Sequence, residues 1–286
     1  MTTSPTTAQP APAPAPRPAG RPALALRGVV KTFYPGSVNE VRAIRGIDLS
    51  LQPGEFVTII GGNGAGKSTL LNLIAGVFPP DSGTITVGGH ECTNLSEDRR
   101  ARWIGRVFQD PLAGTAPNLT IEQNLAMALL RGRGRGLGRG VTDSRRAIFR
   151  EQLARLGIGL ENRLHTRAGL LSGGQRQALT LLMATLQKPD VLLLDEHTAA
   201  LDPATAATIV DLTARLIADA HLTALMVTHN MSLALHVGTR TLMMHEGQVI
   251  LDLAGAERQA QTVRSLVDRF FALRGTEVAS DRMLLY

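Results

Sequence analysis

The chain has 286 residues, 44% of them apolar, and a formal net charge of +6. Such a chain accommodates one substantial domain, with room for an inserted subdomain, and predicts a large buried core. Apolar runs fall short of the roughly 18 residues that a membrane span needs, so any membrane role is peripheral, and the single cysteine, Cys92, excludes an internal disulfide and a cysteine-based metal site and fits the cytosol.

The first 22 residues hold seven of the 15 prolines, alternating with alanine, and lack the basic start and apolar stretch of a secretory signal. Residues 1–22 read as a disordered extension of polyproline character, or as the product of a start site placed too far upstream. From Ala23 to about Gly88 the pattern is β-rich, with strands at Leu24–Thr32, Val41–Leu51, Phe56–Ile60 and Thr84–Val87. A helix opens at the glycine-rich run after Ile60 and extends to about Val77, and a further strand, Trp103–Phe108, ends at Gln109. Helices are expected at Thr120–Leu130 and Ser144–Leu156, separated by the Gly/Arg run 131–140. Then follow a helix over Gln175–Gln187, a strand at Val191–Asp195, a helix over 203–219 with Ile209, Leu212 and Leu216 on one face, a strand at Thr223–Thr228, and a hairpin over Thr241–Leu251 around Gly247. Strands alternating with helices predict a mostly parallel α/β sheet, interrupted by a helical insertion over residues 110–171.

The positive charge is local. Arg131, Arg133, Arg135, Arg139, Arg145, Arg146 and Arg150 face one acid, Asp143, and this excess equals the whole net charge, so the rest of the chain is balanced. Lysine occurs only at 31, 67 and 188, which makes Lys67 conspicuous.

Gly61, Gly66, Lys67 and Ser68 match G-x-x-x-x-G-K-[ST] directly between an apolar strand and a helix. Glycines let backbone N–H groups turn onto phosphates, the helix start adds its positive dipole, Lys67 suits β- and γ-phosphates, and the Ser68 hydroxyl suits Mg²⁺. Asp195 ends a run of four apolar residues, where a carboxylate can hold Mg²⁺ through water, and Glu196 is the candidate general base; an Asp-Glu pair is otherwise a solvated turn. Asp202 before Pro203 is a helix N-cap on its plain reading, and so is Ser172 in Leu171-Ser172-Gly173-Gly174-Gln175, although a capped helix start also suits a γ-phosphate. His229 and Gln109 both follow strand ends at the edge where a phosphate-binding sheet meets its ligand. His229 is read as a γ-phosphate contact, and Gln109 as a turn residue or a Mg²⁺ ligand at the hinge to the helical insertion.

In this order and spacing the motifs resemble the nucleotide-binding subunits of ABC transporters, across residues 24 to about 273. The resemblance implies an α/β P-loop NTPase (RecA-like) core with an antiparallel β subdomain and an inserted α-helical subdomain at about 110–171. These would form an ATPase domain, 23–273, followed by a C-terminal tail, 274–286. It implies that Gly61, Gly62, Asn63, Gly64, Ala65, Gly66, Lys67, Ser68 and Thr69 form the Walker A loop, Gln109 the Q-loop glutamine, and Ser172, Gly173, Gly174 and Gln175 the signature. Asp195 and Glu196 would be the Walker B pair, Asp202 the D-loop aspartate and His229 the switch histidine. Phe33, in preference to Tyr34, would stack on adenine. ATP and Mg²⁺ would be the cofactors, with Ser68, Gln109 and Asp195 around the metal. Two copies would close head to tail, Ser172, Gly173 and Gly174 acting in trans, and the helical subdomain would push on integral-membrane permease subunits at the cytoplasmic face of the bacterial inner membrane.

His197 stands where proline usually follows the glutamate, and Ala178 and Met183 replace arginines common after the signature. With Gly105–Thr115 and Asp195–Asp202 these departures resemble one branch of bacterial import ATPases, found beside a solute-binding protein and permeases of the amino-acid type. An exporter or lipoprotein-extraction ATPase would use the same residues. A soluble ABC protein acting on nucleic acid or ribosomes is the competing class. Against it stand the single ATPase domain and the lack of interleaved aromatics in the basic segment, where Phe149 is the only one. A module that binds ATP without turning it over is disfavoured by the intact Glu196, Gln109 and His229.

Overall fold

The computed structural model describes residues 20–132 and 138–274. Most of the 1–22 extension, residues 133–137 of the Gly/Arg run and the tail beyond Arg274 lie outside the described residues. In chain order the elements are β1 (Leu24–Phe33), β2 (Val41–Leu51), β3 (Phe56–Ile60), α1 (Lys67–Ala75), β4 (Ser82–Val87), β5 (His90–Glu91), α2 (Glu97–Arg100), β6 (Ile104–Val107), α3 (Ile121–Leu129) and α4 (Asp143–Ala154). They continue with α5 (Gly173–Thr185), β7 (Val191–Asp195), α6 (Pro203–Ala220), β8 (Ala224–Val227), α7 (Met231–Val237), β9 (Arg240–His245), β10 (Gln248–Ala254), α8 (Gly255–Gln259) and α9 (Val263–Arg274).

Two sheets result. The smaller is antiparallel, in the order β2-β1-β4-β5; the larger runs β10-β9-β3-β8-β7-β6, parallel except for β10. Strands β3, β7 and β8 are buried on both sides, as parallel strands covered on two faces must be. Their period-two alternation divides the interior. Val57, Ile59, Leu193, Leu225 and Val227 join a core with α1 and the antiparallel sheet, whereas Phe56, Leu192, Leu194, Ala224 and Met226 join a second core with α3, α4, α5 and α6. Helix α1 is thereby enclosed between the sheets. A third, smaller cluster packs α7 and α9 onto Ile60, Met243 and Leu253.

The last turn of α1 ends inside the protein, where its carbonyls need partners. Arg100, fully buried at the end of α2, supplies them: its guanidinium donates to Leu73 O (2.6 Å) and Ile74 O (2.8 Å), and to Thr93 O (3.0 Å) and Leu95 O (2.8 Å) in the connection before α2. Arg100→Met would remove all four bonds, leaving only Leu73 O with another donor, the Gly76 N–H at 3.3 Å, and we expect a loss of about 3 kcal/mol, read as a drop in Tm of roughly 6–12 °C in a thermal melt.

Candidate nucleotide site

The parallel register sets the site. Ile59 of β3 pairs with Val227 of β8, which pairs with Asp195 of β7, while Leu194 pairs with Val107 of β6. The chain therefore leaves four neighbouring strands along one edge, delivering Gly61, His229, Asp195-Glu196 and Gln109 to the carboxyl ends of the sheet, where open α/β folds bind ligands.

The loop after β3 is shaped by contacts that only glycine permits. Gly61 has φ 154°, and a Cβ there would lie 2.2 Å from Met244 O; Gly66 has φ 95°, and its Cβ would lie 2.5 Å from Ala43 O. The β9–β10 turn braces the loop from behind through Gly247 N–H to Ala65 O (3.0 Å). Gly66 caps α1 without a side chain, leaving the helix-start N–H groups to face the loop. Lys67 is 7% exposed and folds back to donate to Gly61 O (2.7 Å) and Gly62 O (3.0 Å). Burial pulls its ammonium below the usual lysine range, against the opposing fields of Glu196 and Asp195.

This loop opens on a cleft of about 590 Å³ lined by Phe33, Asn63 to Thr69, Glu196 and Glu246, among others. Phe33 stands edge-on to Phe78 at 5.3 Å, whereas Tyr34 lies beyond the strand, 70% exposed with φ 51°. Glu196 also has a left-handed backbone, φ 40°, with its N–H on Val227 O (3.0 Å) and its Oε2 3.4 Å from His229 Nδ1. Asp195 sits deeper. Burial pushes its carboxyl up, opposed chiefly by Arg106. Gln109 is exposed at the end of β6 and does not line the cleft. Of the three expected metal residues Ser68 lines the cleft, whereas Asp195 and Gln109 are not among its lining residues; all three offer oxygen donors, one of them a carboxylate, of the kind a hard cation takes.

The remaining expected site residues sit elsewhere. Ser172 caps α5 in a reciprocal box, accepting from Gln175 N while its own N–H donates to Gln175 Oε1, both at 3.3 Å. A Cβ on Gly174 would meet Thr205 Cγ2 at 2.3 Å, and one on Gly173 would meet Leu201 Cδ2 at 3.2 Å. Asp202 caps α6, accepting from Thr205 N at 3.0 Å. So Ser172–Gln175 and Asp202 adjoin each other at the starts of two packed helices, and none of them lines the cleft of their own chain.

Two features were absent from the sequence expectations. Arg106 of β6 donates to Asn72 Oδ1 of α1 (2.6 Å), lies 3.6 Å from Asp195 Oδ2 and 3.7 Å from Glu97 Oε1, and stacks at 4.7 Å over Phe108. A charge between Gly105 and Val107 in an otherwise apolar strand was the available signal. Arg45 pairs with Glu246 at 3.1 Å, and its N–H donates to Gly247 O (2.9 Å), joining β2 to the turn that braces the loop; no local pattern announces that contact.

A family model described as ABC transporter matches residues 44–199. The tyrosine transport ATP-binding protein of Clostridioides difficile (strain R20291) is 41% identical over 248 residues, spanning 86% of this chain and 98% of that protein. The lipoprotein-releasing system ATP-binding protein LolD of Ruegeria pomeroyi is 35% identical over 230 residues, 79% of this chain and 96% of its own. The ATP-binding cassette MJ0796, solved as a dimer in a post-hydrolysis state with ADP and Pi, superposes with a TM-score of 0.67 at 30% identity, covering 81% of this chain and 98% of that one. Fold and site thus define an ABC-type P-loop ATPase. The chain belongs to the ABC transporter family, as an ATP-binding, ATP-hydrolysing subunit.

His197, beside Glu196, is 2% exposed, and burial pushes its imidazole down to about 4 from 6.5. The native ring stays neutral in that window while the unfolded chain takes up a proton, so stability falls as pH drops from 6.5 towards 4. Relative to His197→Gln, the wild type should lose about 3 kcal/mol more across that interval, measured by urea unfolding at a series of pH values.

Proposed function

We propose that the chain is the ATPase subunit of a bacterial importer of a small solute such as an amino acid, working as a homodimer on the cytoplasmic face of the inner membrane. Its permease partners would be integral-membrane subunits, with a solute-binding protein in the same system. The observation that carries the reading is the split site. The phosphate-binding loop and Glu196 line one cleft, while Ser172, Gly173 and Gly174 project from a helix start outside it, which suits a second copy supplying them. The dimeric MJ0796 cassette supports a dimer, the tyrosine-transport relative supports an amino-acid solute, and relatives named as phosphonate and aliphatic-sulfonate import proteins support import.

In this mechanism the loop N–H groups and α1 hold the phosphates, and Phe33 stacks on adenine. Lys67 leaves the Gly61 and Gly62 carbonyls for the β- and γ-phosphate oxygens. Ser68, Asp195 and Gln109 would hold Mg²⁺, which would supply neutralisation of the charge that develops on the transferred phosphoryl group. Glu196 takes the proton from the attacking water, and His229, already 3.4 Å from its carboxylate, orients that base and faces the γ-phosphate. Asp202 and Gln175 hold the helix starts that meet the partner's nucleotide.

Three described arginines of the basic segment weigh against a nucleic-acid role. Arg131 donates to Ala184 O (2.9 Å), Arg145 to Gly140 O (2.5 Å), and Arg146 to Glu122 (2.8 Å) and Asp143 (2.8 Å), so these guanidinium groups are engaged within the chain. An export or lipoprotein-release role is the second reading, favoured by the LolD relative.

Glu196→Gln should lower ATP turnover by about 10² to 10⁴ while retaining ATP binding and accumulating an ATP-dependent dimer on size exclusion; wild-type turnover would refute the assigned base. Affinity purification of the tagged chain from solubilised membranes should recover an amino-acid-type permease with its solute-binding protein. Recovery of a lipoprotein-release permease would replace the importer reading.

A further inference from the structure

His197 is the one member of the Asp195-Glu196-His197 run with no part in the chemistry above, and its ring is buried at the junction of β7 and α6. Its Nε2 lies 3.1 Å from Thr213 Oγ1, and that hydroxyl lies 2.7 Å from Ile209 O. A carbonyl can only accept, so the single hydroxyl proton of Thr213 is committed to Ile209. The Thr213 oxygen is left as acceptor, and the imidazole donates to it through Nε2–H.

This bond joins two places that matter to hydrolysis. On one side is Glu196, at φ 40°, a backbone region that a side-chain-bearing residue occupies only when its surroundings hold it there. Two backbone bonds hold the turn, Glu196 N–H to Val227 O (3.0 Å) and Ala199 N–H to Glu196 O (2.9 Å); the His197 ring, inserted under α6, is the side-chain anchor. On the other side is the middle of α6, whose N-terminal turn carries Asp202 and touches the start of α5 through Thr205. A proline following the glutamate would restrain this turn through its own ring. Here a histidine restrains it from the next residue by burial and one directional bond.

We propose that His197 is a positioning residue for ATP hydrolysis: its hydrogen bond to Thr213 fixes the left-handed turn that aims Glu196 and sets that base in register with α6. The proposal rests on the reading of Glu196 as general base.

The test uses the purified full-length chain and its variants His197→Ala, His197→Gln, Thr213→Val and Thr213→Ser, with Glu196→Gln assayed beside them. Kcat, KM for ATP, equilibrium ATP binding and the thermal midpoint are measured for each. A base displaced by a fraction of an ångström costs turnover rather than binding. His197→Ala and Thr213→Val should therefore each lower kcat about tenfold, with KM and ATP binding held within about twofold. The double variant should be no slower than the worse single one, because both remove the same bond. His197→Gln, whose amide N–H can reach the same hydroxyl, and Thr213→Ser, which keeps the acceptor, should recover most of the rate. Thr213→Val preserves side-chain shape and keeps the test open if His197→Ala does not fold.

Wild-type kcat in both Thr213→Val and His197→Ala would overturn the proposal, as would losses that disappear after correction for folded protein, or a glutamine variant no faster than alanine. If Glu196→Gln turns over ATP at the wild-type rate, the base assignment falls and the proposal with it. If Glu196→Gln is inactive while the histidine and threonine variants are unimpaired, only the positioning role falls.

Discussion

The site depends on the parallel pairing of β3, β8, β7 and β6. Strands paired in parallel end together, and these four are held in register by ladders that fix Ile59, Val227 and Asp195 in one row. A one-residue slip of β7 would exchange Leu193 and Leu194 between the two cores and turn Asp195 from the sheet edge into a packed face. Apolar burial on both sides therefore enforces the position of the carboxylate more strongly than any contact the carboxylate makes itself. The same constraint explains why a residue as costly to bury as Asp195 stands immediately after four leucine and valine positions, and why its carboxyl is pushed up.

The phosphate-binding loop is held by a different set of contacts. Gly61 fits under Met244 O and Gly66 under Ala43 O with no room for a methyl group. The loop is thus clamped between β2 of the antiparallel sheet and the β9–β10 turn, which the Arg45–Glu246 pair and the Arg45 N–H bond to Gly247 O join to each other. The ion pair is solvent-exposed and contributes little by itself; the backbone bonds and close glycine contacts set the geometry. Behind β9 and β10, Met243 and Leu253 pack on Leu266, Val267 and Phe270 of α9, so a helix far along the chain supports the loop near its beginning. The cleft is consequently a joint product of both sheets and the C-terminal helix.

Local pattern carried far in this sequence because the core strands are short, apolar and sharply bounded. β2, β3 and β7 have the limits that their alternation or apolar runs predict, and α6 starts at the Asp202-Pro203 cap. Helix α5 begins two residues before the expected Gln175, because the reciprocal Ser172/Gln175 box draws both glycines into the first turn. β5, α2, α7 and α8 are too short for a periodic window. α9 is a different case. Val263, Leu266, Val267 and Phe270 carry the i, i+3, i+4, i+7 spacing and make the helix readable from sequence, although it was not among the expected elements. The contacts that escaped sequence reasoning at the site, Arg106 to Asn72 and Arg45 to Glu246, span 34 and 201 residues of sequence, which no motif of fixed local spacing can express.

Of the two glycines after Ser172, Gly174 has a reason to be glycine that involves no ligand. A side chain at 174 would run into Thr205, so the first turn of α5 lies as close as it does to the first turn of α6 because 174 lacks a Cβ, whereas a side chain at 173 would only crowd the flexible tip of Leu201. That close approach puts Ser172 and Asp202 at adjoining helix starts, each capped by its own side chain. Further along the same helix, Thr213 receives the His197 bond and ties in the turn that bears Glu196. Helix α6 is therefore the body against which the signature start, the Asp202 cap and the end of β7 are all set, whereas the phosphate-binding loop is set against β2 and the β9–β10 turn. Between these two groups lies a single strand, β8, and the residue that follows its end, His229, reaches Glu196 across the seam. Packing alone thus divides the candidate site residues into two supported groups, which approach each other where His229 lies 3.4 Å from Glu196. Glu196 lines the cleft beside the loop of its own chain, whereas Ser172–Gln175 lie outside it; in the proposed dimer that contrast leaves the signature for a second chain to complete.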